Sequence, residues 1–198
     1  SQYSTIQAAI DAASAGDTVL VANGTYTENI TFGGKKVVLA STFISTGNQS
    51  DISNTIIDGN KAGAVVTFSG DNQHELKGFT IQNGTGWLNS SPALRWGGGI
   101  RIGGAATNGG PTISDCIIEN NEAYDGGGIH LHSSGATLKN LTIRNNKANG
   151  SGGGIFHWGS GVTLENVTIS NNVATGAGGS FSQVSSANWN NVIVKDNS

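Results

Sequence analysis

The chain has 198 residues, of which 31 are Gly and 22 are Asn, and only 12% are charged. A formal net charge of −3, with 10 Lys+Arg and pI ≈ 5.7, leaves no basic stripe for nucleic acid or an anionic membrane. No apolar run approaches the ~18–20 residues of a membrane span, and the single Cys116 excludes an internal disulfide framework and a four-thiolate zinc site.

The N-terminus carries the pattern of a short helix. Ser4-Thr-Ile-Gln7 reads as a capping box, and Ile6, Ile10 and Ala13 form an apolar stripe ahead of Ala15-Gly-Asp17. Residues 1–16 are therefore expected to form a helix that caps residues 17–198. Such a helix hides an edge that would otherwise recruit other strands.

Beyond the helix the chain is built as a repeat. Leu76-Lys-Gly-Phe-Thr-Ile81, Ile113-Ser-Asp-Cys-Ile-Ile118, Leu138-Lys-Asn-Leu-Thr-Ile143, Leu164-Glu-Asn-Val-Thr-Ile169 and Trp189-Asn-Asn-Val-Ile-Val194 align, with the stretch from Ile52 to Ile57 beginning the series. Their aligned positions Ile57, Ile81, Ile118, Ile143, Ile169 and Val194 are 24, 37, 25, 26 and 25 residues apart. A second phrase keeps the same period: Gly97-Gly-Gly-Ile100, Gly126-Gly-Gly-Ile129, Gly152-Gly-Gly-Ile155 and Gly178-Gly-Ser-Phe181. Leucine is scarce, β-branched residues dominate, and runs such as Val167-Thr-Ile169 alternate like strands with one buried face. Nothing between them has helical period. Short strands separated by Gly- and Asn-rich turns at this period predict an all-β solenoid of about six to seven coils, a parallel β-helix.

Stacking places like residues above one another. Asn54, Asp115, Asn140, Asn166 and Asn191 are predicted to form one turn column, and Asn120, Asn145, Asn171 and Asp196 another, with side-chain amides bonding along the axis. The chain stops at Lys195-Asp-Asn-Ser198, on such a turn. Further coils of the same polypeptide, or self-assembly, are expected at that end.

The opening Thr5-Ile-Gln-Ala-Ala-Ile-Asp-Ala-Ala, with Gly16-Asp-Thr-Val-Leu-Val21 and Gly24-Thr-Tyr-Thr-Glu-Asn-Ile30, resembles the start of right-handed parallel β-helix proteins of the pectin-lyase-like superfamily. The Gly-Gly-Gly-Ile and Thr-Ile-x-Asn-Asn phrases are similar to coils of secreted bacterial β-helix proteins, including polymorphic outer-membrane-like surface repeats. The resemblance implies a right-handed helix and an extracellular or cell-surface location. It leaves the activity open, because such proteins include lyases, hydrolases, adhesins and fibres.

Specificity has little sequence left to occupy. The spacing of 37 hides an insertion, Gly84 to Trp96, and a smaller one around Gly104 to Pro111. Trp87 and Trp96 in the first would either fold back over a strand or form a binding platform, with Arg95 between them. If Ile100, Ile129, Ile155 and Phe181 point inward, then Arg101, His130, His132, Phe156 and Trp158 share an outer face with Thr67, Ser69 and Ser182. His157 and Gln183 then face inward; a one-residue slip exchanges the histidines. Rings suit pyranose faces and cations suit carboxylates, so this face suits a polysaccharide or cell-surface glycan. The other reading is a solvated strand face with incidental histidines.

Catalysis has thinner support. No carboxylate pair, Asp-Asp or His-Gly polygalacturonase motif, or pectate-lyase cation signature is present, and a His130 base with Arg101 as neutraliser is the one arrangement to weigh. Glu119 and Arg144 read as an exposed pair, and Glu122 and Asp125 share a turn. His130-Leu-His132 has zinc-like spacing without a third ligand, and the calcium nonapeptide is absent, so no cofactor is expected and a Ca²⁺ site has no support. The leading expectation is a rigid, non-catalytic module with a structural, adhesive or carbohydrate-binding role. Its rival is a polysaccharide lyase or glycoside hydrolase, or the N-terminal portion of one, working near Arg101, His130 and Trp158.

Overall fold

The computed structural model describes residues 3–69, 73–88, 95–104, 109–132, 135–159, 161–183 and 187–198. Helix α1 (Ile6–Ala12) buries Ile6 and Ile10 against the first coil. Its N-cap is Thr5, one residue later than the capping box places it, and the Thr5 hydroxyl accepts from the Ala8 N–H. Gln7 does not close the box. Its carboxamide bonds the Thr31 backbone, and the Glu28 carboxylate accepts from the Ile6 and Gln7 N–H groups instead. A coil residue thus satisfies donors that a local side chain was expected to take.

Seven coils stack beneath the helix. The first holds β1 (Thr18–Val21), β2 (Gly24–Thr27) and β3 (Ile30–Phe32), and the second holds β4 (Val38–Ser41), β5 (Thr55–Asp58) and β6 (Val66–Ser69). Helices α2 (Phe43–Thr46) and α3 (Gln49–Asn54) are inserted between β4 and β5. The third coil has β7 (Glu75–Lys77), β8 (Thr80–Gln82), a hairpin of β9 (Trp87–Leu88) and β10 (Arg95–Trp96), and β11 (Ile100–Gly103). The fourth has β12 (Thr112–Ser114), β13 (Ile117–Glu119), β14 (Glu122–Ala123) and β15 (Ile129–His132). In the fifth, β16 (Thr137–Arg144) runs on from one sheet to the next, followed by β17 (Lys147–Ala148) and β18 (Ile155–Trp158). The sixth repeats this with β19 (Val162–Ser170), β20 (Val173–Ala174) and β21 (Phe181–Gln183), and β22 (Ala187–Lys195) begins the seventh.

Every pairing between coils is parallel. The first sheet runs β1-β4-β7-β12 into the leading halves of β16, β19 and β22, and the second runs β2-β5-β8-β13 into their trailing halves. The third sheet is β3-β6-β11-β15-β18-β21. The lumen is a stack of like side chains: Ile57, Ile81, Ile118, Ile143 and Ile169 are fully buried in register, as are Leu76, Ile113, Leu138 and Leu164. Each such side chain contributes about 1.5–3 kcal/mol.

Two kinds of turn bend the chain between sheets. Asp115, Asn140, Asn166 and Asn191 are left-handed, with φ of 51–54°, and their side chains bond coil to coil: Asn140 donates to Asp115, Asn166 to Asn140 and Asn191 to Asn166. Asn54 is not in this column, because it ends α3; Gly78 (φ 85°) holds the place one coil later. The column of Asn120, Asn145, Asn171 and Asp196 is also left-handed, at 54–55°. Among the described residues its side chains make no bonds to one another. That work falls one residue later, where Asn121, Asn146, Asn172 and Asn197 point inward and pass amide hydrogen bonds of 3.0 Å up the axis. Each also donates to a carbonyl of an earlier coil. Left-handed geometry at the first Asn is what turns the second one in.

The Gly-rich phrase has a separate cause. Gly126 needs φ 66°, and a Cβ on Gly127 would stand 2.4 Å from the Lys147 carbonyl oxygen and 2.6 Å from that of Gly153. Backbones therefore approach too closely for any side chain where the chain enters the third sheet.

Candidate binding face on the third sheet

Ile100, Ile129, Ile155 and Phe181 lie in register, and the first three are fully buried. The unslipped reading therefore holds. Arg101, His130 and Phe156 form one outward column after Thr31 and Thr67, and His132 and Trp158 a second, in line with Ser69 and Gly103. The side chains of Ser182 and Gln183 fall outside the described residues, as do residues 89–94 and 105–108 of the two insertions.

Pointing outward does not mean being exposed. The β9–β10 hairpin folds back over the first column, as one of the two readings of its indoles required. Trp96 stacks on His130 at 5.4 Å and 9°, and His130 stacks on Phe156 at 5.2 Å and 13°. Trp87 continues the series, 6.3 Å from Trp96. His130 is left 4% exposed, with its Nδ1 buried and unbonded. Burial, reinforced by Arg101, His132 and His157, pushes its pKa down to about 3. The sequence alone placed His130 on an open surface; the hairpin corrects that, since a ring covered on both faces cannot meet a polysaccharide.

Arg101 is held unusually. Its guanidinium carbon lies 4.2 Å from the centre of the Trp87 ring. Its terminal nitrogens lie over Gly103, where a Cβ would stand 2.7–2.9 Å from Nη2, Nη1 and Cζ. Nε is buried and unbonded, and no carboxylate among the described residues pairs with the group. Burial lowers its pKa. Arg95, by contrast, is half-buried, and among the described residues its side chain reaches the Thr85 hydroxyl, at 3.5 Å.

The second column is open. Trp158 is 56% exposed and meets exposed His132 edge-on at 6.1 Å, and Trp87 at the rim is 39% exposed. The seven residues nominated from sequence thus divide: Trp87, Arg101, His132 and Trp158 face outward together, Trp96 and His130 form the support beneath, and Arg95 stands aside. Gly103 escaped sequence reasoning. Its signal was available, as a Gly on the outer face of a strand two residues after Arg101.

Elsewhere, His157 lies in the lumen above Leu131, fully buried, with neither ring nitrogen bonded and its pKa lowered by burial. His74 is buried too, but its ring bonds the Val37 N–H and the Gly33 carbonyl. Cys116 is buried and its thiol is pushed up to about 12 by burial, which makes it inert. No group of three metal-ligating side chains occurs among the described residues, so His130 and His132 have no third partner there. A separate groove of about 690 Å³ lies between α1 and β1, with Tyr3, Thr5, Ala9, Asp17, Leu20 and Tyr26 among the residues that line it.

Comparison with known proteins adds a family. No curated protein sequence matches the chain. Among solved structures, it is similar to the pectin methylesterase from Aspergillus niger in penultimately deglycosylated form, at 15% identity and a TM-score of 0.47 over 98% of this chain and 82% of that one. The deglycosylated form of the same enzyme gives 15% and 0.47 over 97% and 82%. The family described as right handed beta helix region matches residues 8–198. The chain belongs to the right-handed β-helix family.

Proposed function

We propose that this chain is a rigid module of a secreted or cell-surface protein, and that it holds a carbohydrate chain on the outer face of the third sheet without cleaving it. The observation that carries the reading is the pairing of exposed and supported rings. Trp158 offers an open indole and Trp87, with Arg101 over its ring, a partly exposed one, while Trp96, His130 and Phe156 stack beneath. Indoles pre-set by packing lose little entropy on meeting a sugar ring. Trp158 belongs to the coil two beyond Arg101, so the platforms span two strand spacings along the axis, ~9.6 Å. That length favours a chain of sugars over a single one.

His130, the base weighed for a lyase or hydrolase on this face, is enclosed and does not reach substrate. Support for the extracellular location comes from the resemblance of the Gly-Gly-Gly-Ile coils to secreted repeats. The test is co-sedimentation with acidic and neutral polysaccharides while new unsaturated and reducing ends are monitored. Binding without new ends is the expected result, weakened about tenfold or more in Trp158→Ala. New ends that disappear in His130→Ala would replace this reading with the enzymatic one, and absence of any binding would leave a spacer or fibre component.

A further inference from the structure

We propose that Arg101 is an anion seat on this face and selects a glycan bearing carboxylates, an inference that rests on the carbohydrate-binding reading above. Three independent features of the residue converge. Among the described residues no carboxylate pairs with it, and the four ion pairs found there all lie elsewhere. Its guanidinium is packed in place, with Cζ 4.2 Å from the centre of the Trp87 ring and its terminal nitrogens within 2.7–2.8 Å of where a Gly103 Cβ would stand. Its Nε is buried and unbonded, so the terminal Nη1 and Nη2 groups carry the donors that remain for a ligand. A packed guanidinium that offers its Nη groups matches a flat carboxylate with two parallel N–H···O bonds. Indole beside it supplies a surface for the sugar ring that carries the acid.

Gly103 matters as much as the charge. Its register neighbours are Ser69 and, one coil on, His132, so a side chain is tolerated at this column in other coils. Gly103 has an ordinary negative φ, and the glycine is not required by the backbone. What the missing Cβ makes room for is the guanidinium.

The experiment uses the whole chain and a matched pair of polymers: a polyuronate and the same polymer with its carboxyl groups reduced to alcohols. Binding is measured by calorimetry at low and high salt, with a sulfated polymer that carries no carboxylates as a third arm. The polyuronate is expected to bind about tenfold tighter than its reduced form, and Arg101→Ala to erase the difference. Gly103→Ala is expected to erase most of it with the charge unchanged, and Arg101→Lys to keep the salt dependence but lose most of the preference. Circular dichroism and thermal melting establish that each variant folds, and Arg101→Ala decides the matter if Gly103→Ala does not fold. Equal affinity for both polymers in the unmodified chain, with Trp158→Ala still weakening it, overturns the anion seat and leaves the carbohydrate reading standing. Preference for the sulfated polymer over the polyuronate overturns the carboxylate assignment. Failure to bind any of the three overturns both readings.

Discussion

The outer faces of the second and third sheets are built on the same coils and obey opposite rules. On the second sheet and the turn beyond it, charge is settled between neighbours: Arg144 pairs with Glu119 at 2.6 Å and Lys147 with Glu122 at 3.0 Å, each one coil apart. The first sheet does likewise with Lys139 and Glu165. On the third sheet, among the described residues, a cation has no counter-ion, a histidine has an unbonded nitrogen, and two indoles face solvent. Register stacking brings residues 25 or so apart into contact, so compensation costs one favourable substitution per coil. A face that stays uncompensated while its neighbours are balanced is where a ligand is best sought.

The contrast is broken most severely from inside. Asn146 accepts from the Asn121 N–H and amide while donating to Asn172 and Ile118. Asn146→Ala strands several of these buried groups and is expected to cost about 3–5 kcal/mol in chemical denaturation. Asn145→Ala, next to it but exposed, should cost only about 1–2 kcal/mol for its left-handed backbone. Similar losses at the two sites would mean that turn geometry, not the inward amide, holds the coils together.

Acid acts on the third sheet next. His130 titrates at about 3 in the fold and near 6.5 when unfolded, so the unfolded chain takes up the proton first. Stability is complete above pH ~6.5 and falls as pH drops from there toward 3, by about 2 kcal/mol at pH 5 from this residue. His157, also lowered by burial, adds in the same direction. Melting temperature recorded from pH 7 to pH 4.5 should fall less in His130→Phe than in the unmodified chain, and an identical fall in both would count against the enclosed ring. Smallest of all is the second-sheet pair: Glu119→Gln should change stability by less than about 1 kcal/mol and leave glycan binding untouched, as measured in parallel melts and isotherms.

Much of this was legible in the residues. The lumen columns and the outward assignment of Arg101, His132 and Trp158 come from a 25-residue period and strand alternation, because in-register stacking converts sequence spacing directly into position. Local signals misled where a distant group intervened. Glu28 took over the capping that Ser4 and Gln7 advertise, and α3 captured Asn54 although it precedes a strand like its supposed counterparts. Adjacent Asn residues could not be told apart in sequence, since which one is left-handed decides which one turns inward. Burial of His130 was hidden for the same kind of reason: the hairpin that covers it lies outside the repeat. Period gives no information about where an insertion folds.

The most direct test is hydrogen-exchange mass spectrometry of the chain with and without a bound oligosaccharide, coupled to analysis of the recovered sugar. Protection confined to the segments containing Trp87, Arg101, His132 and Trp158, with the oligosaccharide recovered intact, is the expected result. Protection centred on the second sheet, or recovery of shortened sugar, would contradict a binding face on the third.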